Sequence, residues 1–350
     1  MTVKSRLGLS AARFTKCMFI GNNNLSAACG YGASQNWADT PELLLEMRSA
    51  VNPMNMTNSA ALLRQPGIDF AQFVRPATLI GRVQGMREVP LRVRLITGMG
   101  GTTAYWVGEG QPKPISSAAF NRLVLDPLKV VGVAVVSQEL LRASEPKADD
   151  TLRVDLRAAA VAAMDEAFMD PSNAGQANVR PASVTYGAER VQSTGSTVAQ
   201  IDADLEAMVE RLTAAGSDLS AAFWTMRPTT AVSLSLKRGS GGALAYPGMS
   251  AKGGELLGMP VLTTPHLTAD TSGSFITLVD ASQIAIGDDD DSSIQVSREG
   301  AVQMSDDPGI GPTTLVSLFQ NDCAAVRVER QVNWAIRRQE FAVVLEHVLY

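Results

Sequence analysis

Two strand-like runs separated by an excursion that cannot pack on itself set the tightest limit on how this chain folds. In "EVPLRVRLITG", from Glu88, the residues Leu91, Val93 and Leu95 alternate with Arg92 and Arg94. That period of two is the pattern of a strand with one charged face. "GMGGTT" breaks it, "AYWVGEGQPKPISS" (104–117) follows, and "AFNRLVLDPL" resumes an extended run. The segment therefore forms an extended hairpin with no core of its own. An isolated two-stranded hairpin is marginal in water, so this one must lie against something else.

The excursion looks at first like a ligand loop. As a phosphate cradle, however, Gly108-Glu109-Gly110 would need a third small residue at position 113, where Lys113 stands between two prolines. The run that follows is extended, so the helix N-terminus that meets a phosphate in such motifs is missing. Other catalytic equipment is equally sparse. His266 and His347 lie far apart, and no HExxH, G-x-S-x-G or Walker A pattern occurs. Cys17, Cys29 and Cys323 are too widely spaced for a disulfide framework or a zinc pattern. No cofactor and no metal are expected, and the chain is not read as an enzyme. The acid run Asp288 to Asp291 could hold a hard cation, but the plainer expectation is a solvated turn between two strands. The glycine-rich loop 239–254, with Lys237, Arg238 and Lys252 nearby, reads as a mobile loop at a subunit contact.

The 350 residues suffice for two domains. A net charge of −5 argues against a dedicated nucleic-acid reader. No apolar run is long enough to span a bilayer, and no membrane partner is expected. Residues 1–38 contain Lys4, Arg6, Arg13 and Lys16 and no acid before Asp39. Arg13 and Lys16 interrupt any apolar signal core, so the segment reads as an irregular, flexible basic arm.

"TPELLLEMRSAV" is a short helix with Thr40 as N-cap and Pro41 at its first position. "KVVGVAVVS" reads as a buried strand, and Ser137 caps a short helix "QELLRAS". The longest helix signal runs from about Asp150 to Asp170 and stops at Pro171. One face carries Leu152, Leu156, Ala159, Ala163 and Ala167, and a second carries Val154, Val161 and Phe168. Residues 171–195 are loop-like. In "STVAQIDADLEAMVERLTAAG" Val198, Ile201, Leu205, Met208 and Leu212 form one helical face, with Ser196 as cap and Gly216 as stop. After the strand "AAFWTM" and the helix "TTAVSLSLKR" come mostly extended segments to the end. Strands and helices interleave without a βαβ rhythm, which predicts an α+β fold.

In this order and spacing the segments resemble the major capsid proteins of tailed bacteriophages with the HK97 fold. "YWVGEGQPKPISSAAFNRLVLDPLKVVGVAVVSQELLRAS" and the long helix look like that family's hairpin arm (the E-loop), following strand and spine helix. "FWTMRPTTAVSLSLKR", "GELLGMPVLTT" and "VRVERQVNWAIRRQEFAVVLE" resemble the axial-domain strand–turn–helix, its G-x-P-V strand and the closing β-segment.

The resemblance implies an N-terminal arm (1–75), a hairpin region (76–128), a peripheral domain (129–190 and 311–350, spine helix 150–170) and an axial domain (191–310). It implies hexamers and pentamers closing into an icosahedral shell around double-stranded DNA, with portal and scaffold or decoration proteins as further partners. The place of the chain would be the virion, after assembly in the cytoplasm of the host bacterium. Hairpin residues Tyr105, Trp106, Val107, Glu109 and Lys113 would contact a neighbouring subunit. Lys237, Arg238, Tyr246 and Lys252 would make contacts near the axial loop. The lysine–asparagine cross-link of some members is not expected, because "GPTTLVSLFQ" holds no asparagine at the matching place. A hairpin folded back on its own domain stays open as an arrangement. An encapsulin-like compartment of the same fold, or a soluble hydrolase or binding protein, stays open as a function.

Overall fold

The computed structural model describes residues 9–22, 24–35, 37, 43, 47, 65–98, 106–107, 109, 120–137, 139, 146–268, 273–304 and 315–350. The described helices are α1 (Leu9–Ile20), α2 (Leu25–Ser34), α3 (Gln65–Val74), α4 (Leu79–Arg82), α5 (Pro146–Met169), α6 (Val198–Ala214) and α7 (Pro228–Leu236). The first strands are β1 (Arg87–Glu88), β2 (Arg94–Gly98), β3 (Phe120–Val124), β4 (Leu128–Ser137) and β5 (Glu189–Gln192). Next come β6 (Ala222–Met226), β7 (Met249–Ser250), β8 (Gly253–Leu256), β9 (Met259–Thr263) and β10 (Ser274–Asp280). The last are β11 (Ile284–Ser297), β12 (Ala301–Gln303), β13 (Leu315–Ser317), β14 (Cys323–Ile336) and β15 (Ala342–Val348). The chain divides into two compact units, one of residues 1–82, 129–164 and 289–331, the other of residues 83–128, 165–288 and 332–350.

In the first unit the segment expected to be a flexible arm is instead the centre of the core. Helix α1 joins three apolar clusters. Ala11 packs with Phe70, Val74, Val161 and Val328. Phe14 and Cys17 pack with Ala28, Leu43 and Met47. Phe19 packs with Val296, Ala324 and Val326. Arg13 and Lys16, taken as marks of an exposed arm, are buried. The Arg13 guanidinium lies 4.9 Å from the Trp37 ring, and Arg298 lies 3.6 Å from that of Phe19. Cationic planes on aromatic faces let a helix with charges on several sides sit inside. Helix α2 starts at Asn24, whose side chain accepts from the backbone N–H groups of Ser26 and Ala27. Leu43 and Met47 of the short helix expected after Thr40 are helical and buried.

Three further expectations need correction. Strand β4 is half-exposed rather than buried, with Val131 and Val133 open to solvent. The acid run is no turn, because β11 passes unbroken through Asp288 to Asp291. On α5 the buried residues of its last turns are Val161, Met164, Asp165, Phe168 and Met169, while Ala159 and Ala163 are exposed. Larger side chains claimed the interior, and the alanines were left outside.

The second unit is built on a mixed sheet of order β5-β15-β10-β6-β9-β8-β7. All five residues of β6 are buried. Helix α6 packs over β5, β15 and β10, and buries Ile201, Leu205, Met208 and Leu212. Its N-cap is Thr197, one residue later than expected, in a capping box with Gln200. Asp204 also faces inward, where it accepts from the Ser193 hydroxyl and from the hydroxyl and N–H of Thr194. Trp224 on β6 is fully buried and its indole N–H donates to the Leu256 carbonyl at 3.1 Å.

Because α1 carries part of the first unit's core, Phe19→Ala is expected to lower the free energy of unfolding by about 3 kcal/mol. Urea denaturation followed by circular dichroism measures this; an unchanged midpoint would return α1 to the status of a loose arm.

Candidate inter-subunit contact surfaces

The hairpin legs β2 and β3 pair antiparallel, from Arg94 opposite Val124 to Gly98 opposite Phe120. The strand read from Glu88 onward is in fact interrupted. Arg92 takes a left-handed φ of 67°, and its N–H donates to the Leu125 carbonyl at 2.8 Å. The root is held by the apolar cluster of Val89, Leu125 and Ala285, and by the Asn333 amide donating to the Asp126 carbonyl at 2.6 Å. Beyond this anchored root, Trp106 is wholly exposed at 105%, with Val107 and Glu109 also exposed. Tyr105 and Lys113 lie outside the described residues. Trp106 is thus an uncovered aromatic beyond an anchored base, and a large apolar side chain in water gains most by finding a partner surface.

The loop after α7 is held by its own bonds rather than being the mobile loop expected. Arg238 donates to the Gly242 carbonyl at 2.8 Å, and the Gly239 N–H donates to the Ala243 carbonyl at 2.9 Å. The Lys237 ammonium donates to the Ser196 carbonyl at 2.6 Å and lies 5.7 Å from the Tyr350 ring. Tyr246 is turned inward, and its hydroxyl donates to Asp202 at 2.7 Å. Burial, with the carboxylate of Asp202 second, pushes its phenol above the usual range. Tyr246 thus fastens the loop to α6 and presents little surface. Lys252 is exposed between β7 and β8.

Sequence reasoning missed three exposed leucines near this loop, Leu236, Leu244 and Leu257. Leu257 and Gly258 form the two-residue turn between Leu256 and Met259, with φ of 53° and 77°. Glycine takes that conformation freely, whereas a leucine pays roughly 1–2 kcal/mol. The paired leucines before the glycine in "LLGMP" are the signal that was available.

Among the described residues no group of three His, Cys, Asp or Glu side chains is placed to hold a metal ion. His266 is half-buried, whereas His347 is exposed. Among the described residues no helix is long and apolar enough to cross a membrane.

The model of the phage capsid family matches residues 69–346. The chain is 35% identical to the capsid polyprotein of Pseudomonas phage PAJU2, over 99% of this chain and 55% of that protein. It is 23% identical to the major capsid protein of Klebsiella oxytoca phage phiKO2, over 80% of this chain and 66% of that one. The chain thus spans about half to two-thirds of the length of these relatives. A solved structure from Mycobacterium phage Ogopogo superimposes with a TM-score of 0.56 at 16% identity, covering 77% of this chain and 91% of the other. The capsid of a native GTA particle, computed with C5 symmetry, gives 0.52 at 15% identity over 75% and 88%. These likenesses give the fold, which is α+β and of the HK97 capsid type. The two relatives are described as a capsid polyprotein and a major capsid protein. An anchored hairpin with a bare aromatic tip, this fold and a match over most of the chain lead to one conclusion: the chain belongs to the phage capsid family.

Proposed function

We propose that the chain is a shell-building subunit, a major capsid protein whose copies gather into hexamers and pentamers and close an icosahedral particle around double-stranded DNA. The observation that carries this reading is the full exposure of Trp106 beyond a firmly anchored hairpin root. Side chains of this kind dominate the energetics of protein interfaces when a partner covers them. The hairpin residues Tyr105, Val107, Glu109 and Lys113 extend that contact, and the loop bearing Lys237, Arg238 and Lys252 makes a second one. Tyr246 supports the second contact from inside. Within such a shell residues 191–310 would be the axial domain, residues 129–190 and 311–350 the peripheral domain, and residues 1–75 and 76–128 the arm and hairpin regions. Many moderate contacts per subunit then sum by multivalency. Portal and scaffold or decoration proteins complete the particle, which is assembled in the bacterial cytoplasm.

A net charge of −5 suits a container, because a strongly basic lining would hold the packaged genome tightly. Isolated subunits are therefore expected to bind double-stranded DNA weakly, with affinity that falls steeply as salt rises; tight binding indifferent to salt in a filter or anisotropy assay would contradict this. Trp106→Ala is expected to leave subunits soluble and folded while weakening each hairpin contact about 30-fold, the equivalent of roughly 2 kcal/mol. Sedimentation and negative-stain microscopy of the recombinant protein report the outcome, and particles of unchanged yield and heat resistance would remove the hairpin from the assembly role.

A further inference from the structure

Helix α7 is tied at both ends by the three residues that follow a bulge near the end of β15. Ser274 pairs with Val348 and Ile276 with Leu345, so Glu346 and His347 together oppose Phe275 alone. His347 takes up the extra residue with a left-handed φ of 59°. Beyond the bulge one pair of the β10–β15 ladder remains, Ser274 with Val348. Val348 is buried, and its carbonyl accepts from the Ser274 hydroxyl at 3.4 Å. That hydroxyl lies 3.0 Å from the hydroxyl of Thr230, in the first turn of α7. Leu349 is left 77% exposed. Tyr350 turns back and packs on the cluster that holds Ala231 and Leu234 of α7. Its ring lies 5.7 Å from the ammonium of Lys237, the residue that ends the helix. The lengths agree. Thr230 and Lys237 are about 10 Å apart at the helical rise. Two extended residues cover about 7 Å, and the tyrosine side chain adds its own reach.

Lys237 is where this tie meets the loop. Its ammonium donates to the Ser196 carbonyl, and its own carbonyl accepts from the Ala245 N–H at 2.9 Å, which closes the loop at its base. The bonds of Arg238 to Gly242 and of Gly239 to Ala243 lie inside that closure. The Tyr350 hydroxyl is buried and has no hydrogen-bond partner among the described residues. Burial, with the carboxylate of Asp204 second, holds this phenol above its usual range. An unsatisfied hydroxyl costs free energy, so the side chain is kept in place by its packing and by the cation over its ring.

We propose that residues 348–350 are a strap across α7, and that the Tyr350 ring, acting through Lys237, sets the shape of the loop 237–246. With the strap closed, Lys237 is held between the ring and Ser196, and the Lys237–Ala245 bond stays made. With Tyr350 withdrawn, Lys237 keeps one tether in place of two, and the loop opens at its base first. A bulge and one remaining ladder pair attach the strap to the sheet, so Tyr350 is its main fastening. The strap works within one copy and does not depend on the shell-building reading.

Hydrogen–deuterium exchange of the full chain, read by fragment-resolved mass spectrometry, tests this at the Gly239 and Ala245 amides. Tyr350→Phe keeps the ring and is expected to exchange within about twofold of wild type. Tyr350→Leu keeps most of the apolar bulk and removes the ring face, and is expected to speed both amides about fivefold. Tyr350→Ala is expected to speed them at least about tenfold, while the β6 amides stay within about twofold. Loop amides at wild-type rates in the folded Leu and Ala variants would overturn the strap. Lys237→Met separates a strap from a simple loss of packing. Because Tyr350 acts through Lys237, Y350L/K237M is expected to exceed the faster single variant by no more than about twofold. Effects that multiply would mean that the two residues act independently, and the assignment would fall. Should Tyr350→Ala not fold, the Leu and Met variants and their combination still decide it.

Discussion

Burial of strand β6 on both faces is the constraint around which the second unit is arranged. A strand with all five residues inside must lie in the middle of a sheet that is covered above and below. Its neighbours β10 and β9 flank it, and the directions of the strands follow from their pairing. β15 runs antiparallel to β10 and β10 antiparallel to β6, while β5 is parallel to β15, so β5 and β6 point the same way. β9 is parallel to β6 as well. The crossovers through α6 and α7 therefore each join parallel strands, and the right-handed rule places both helices on one face. Their apolar residues merge into a single cluster around Trp224. Once that core is closed, the helix surface with Glu206 and Glu210 and the loop with Arg238 are left outside as a consequence of packing.

The same rule, that apolar surface seeks cover, works differently at the hairpin. There the root is satisfied by Val89, Leu125 and Ala285, and the tip is not satisfied by anything described in its own chain. A protein that had to act alone would be poorly served by a bare tryptophan. One that acts as a repeated unit needs such residues, because the free energy kept back from folding is what holds the copies together. Leu257, held in a left-handed turn, is left exposed as well.

How much could be read in advance depended on how many sides of an element are buried. Helix α6 was legible to within a residue at its start because one face is inside and the other wet, so its apolar residues fall into a clean stripe. Helix α1 was not legible, because it is packed on several sides and shows no stripe, and because Arg13 lies inside against the Trp37 ring. The strand through Asp288 to Asp291 misled for a related reason: four acids look like a solvated turn, but β11 runs on through them, with Asp288 half-buried and Asp289 exposed. At the contact surfaces, Trp106 could be singled out as an aromatic in a segment without a core. The inward turn of Tyr246 could not, since it depends on Asp202, 44 residues away in the chain.

By itself the amino-acid order determined the α+β class, the amphipathic helix and strands of the second unit, the hairpin without a core of its own and the family resemblance. All of these rest on local periodicity and on residue types whose preferences act over a few positions. The tertiary structure alone decided that the first residues form a core, which side chains of α5 are buried, and that the loop after α7 is fastened to Ser196 and Asp202. Those outcomes depend on contacts between segments far apart in the chain, where competition for the interior is settled by side-chain size and by what each charge finds to lie against.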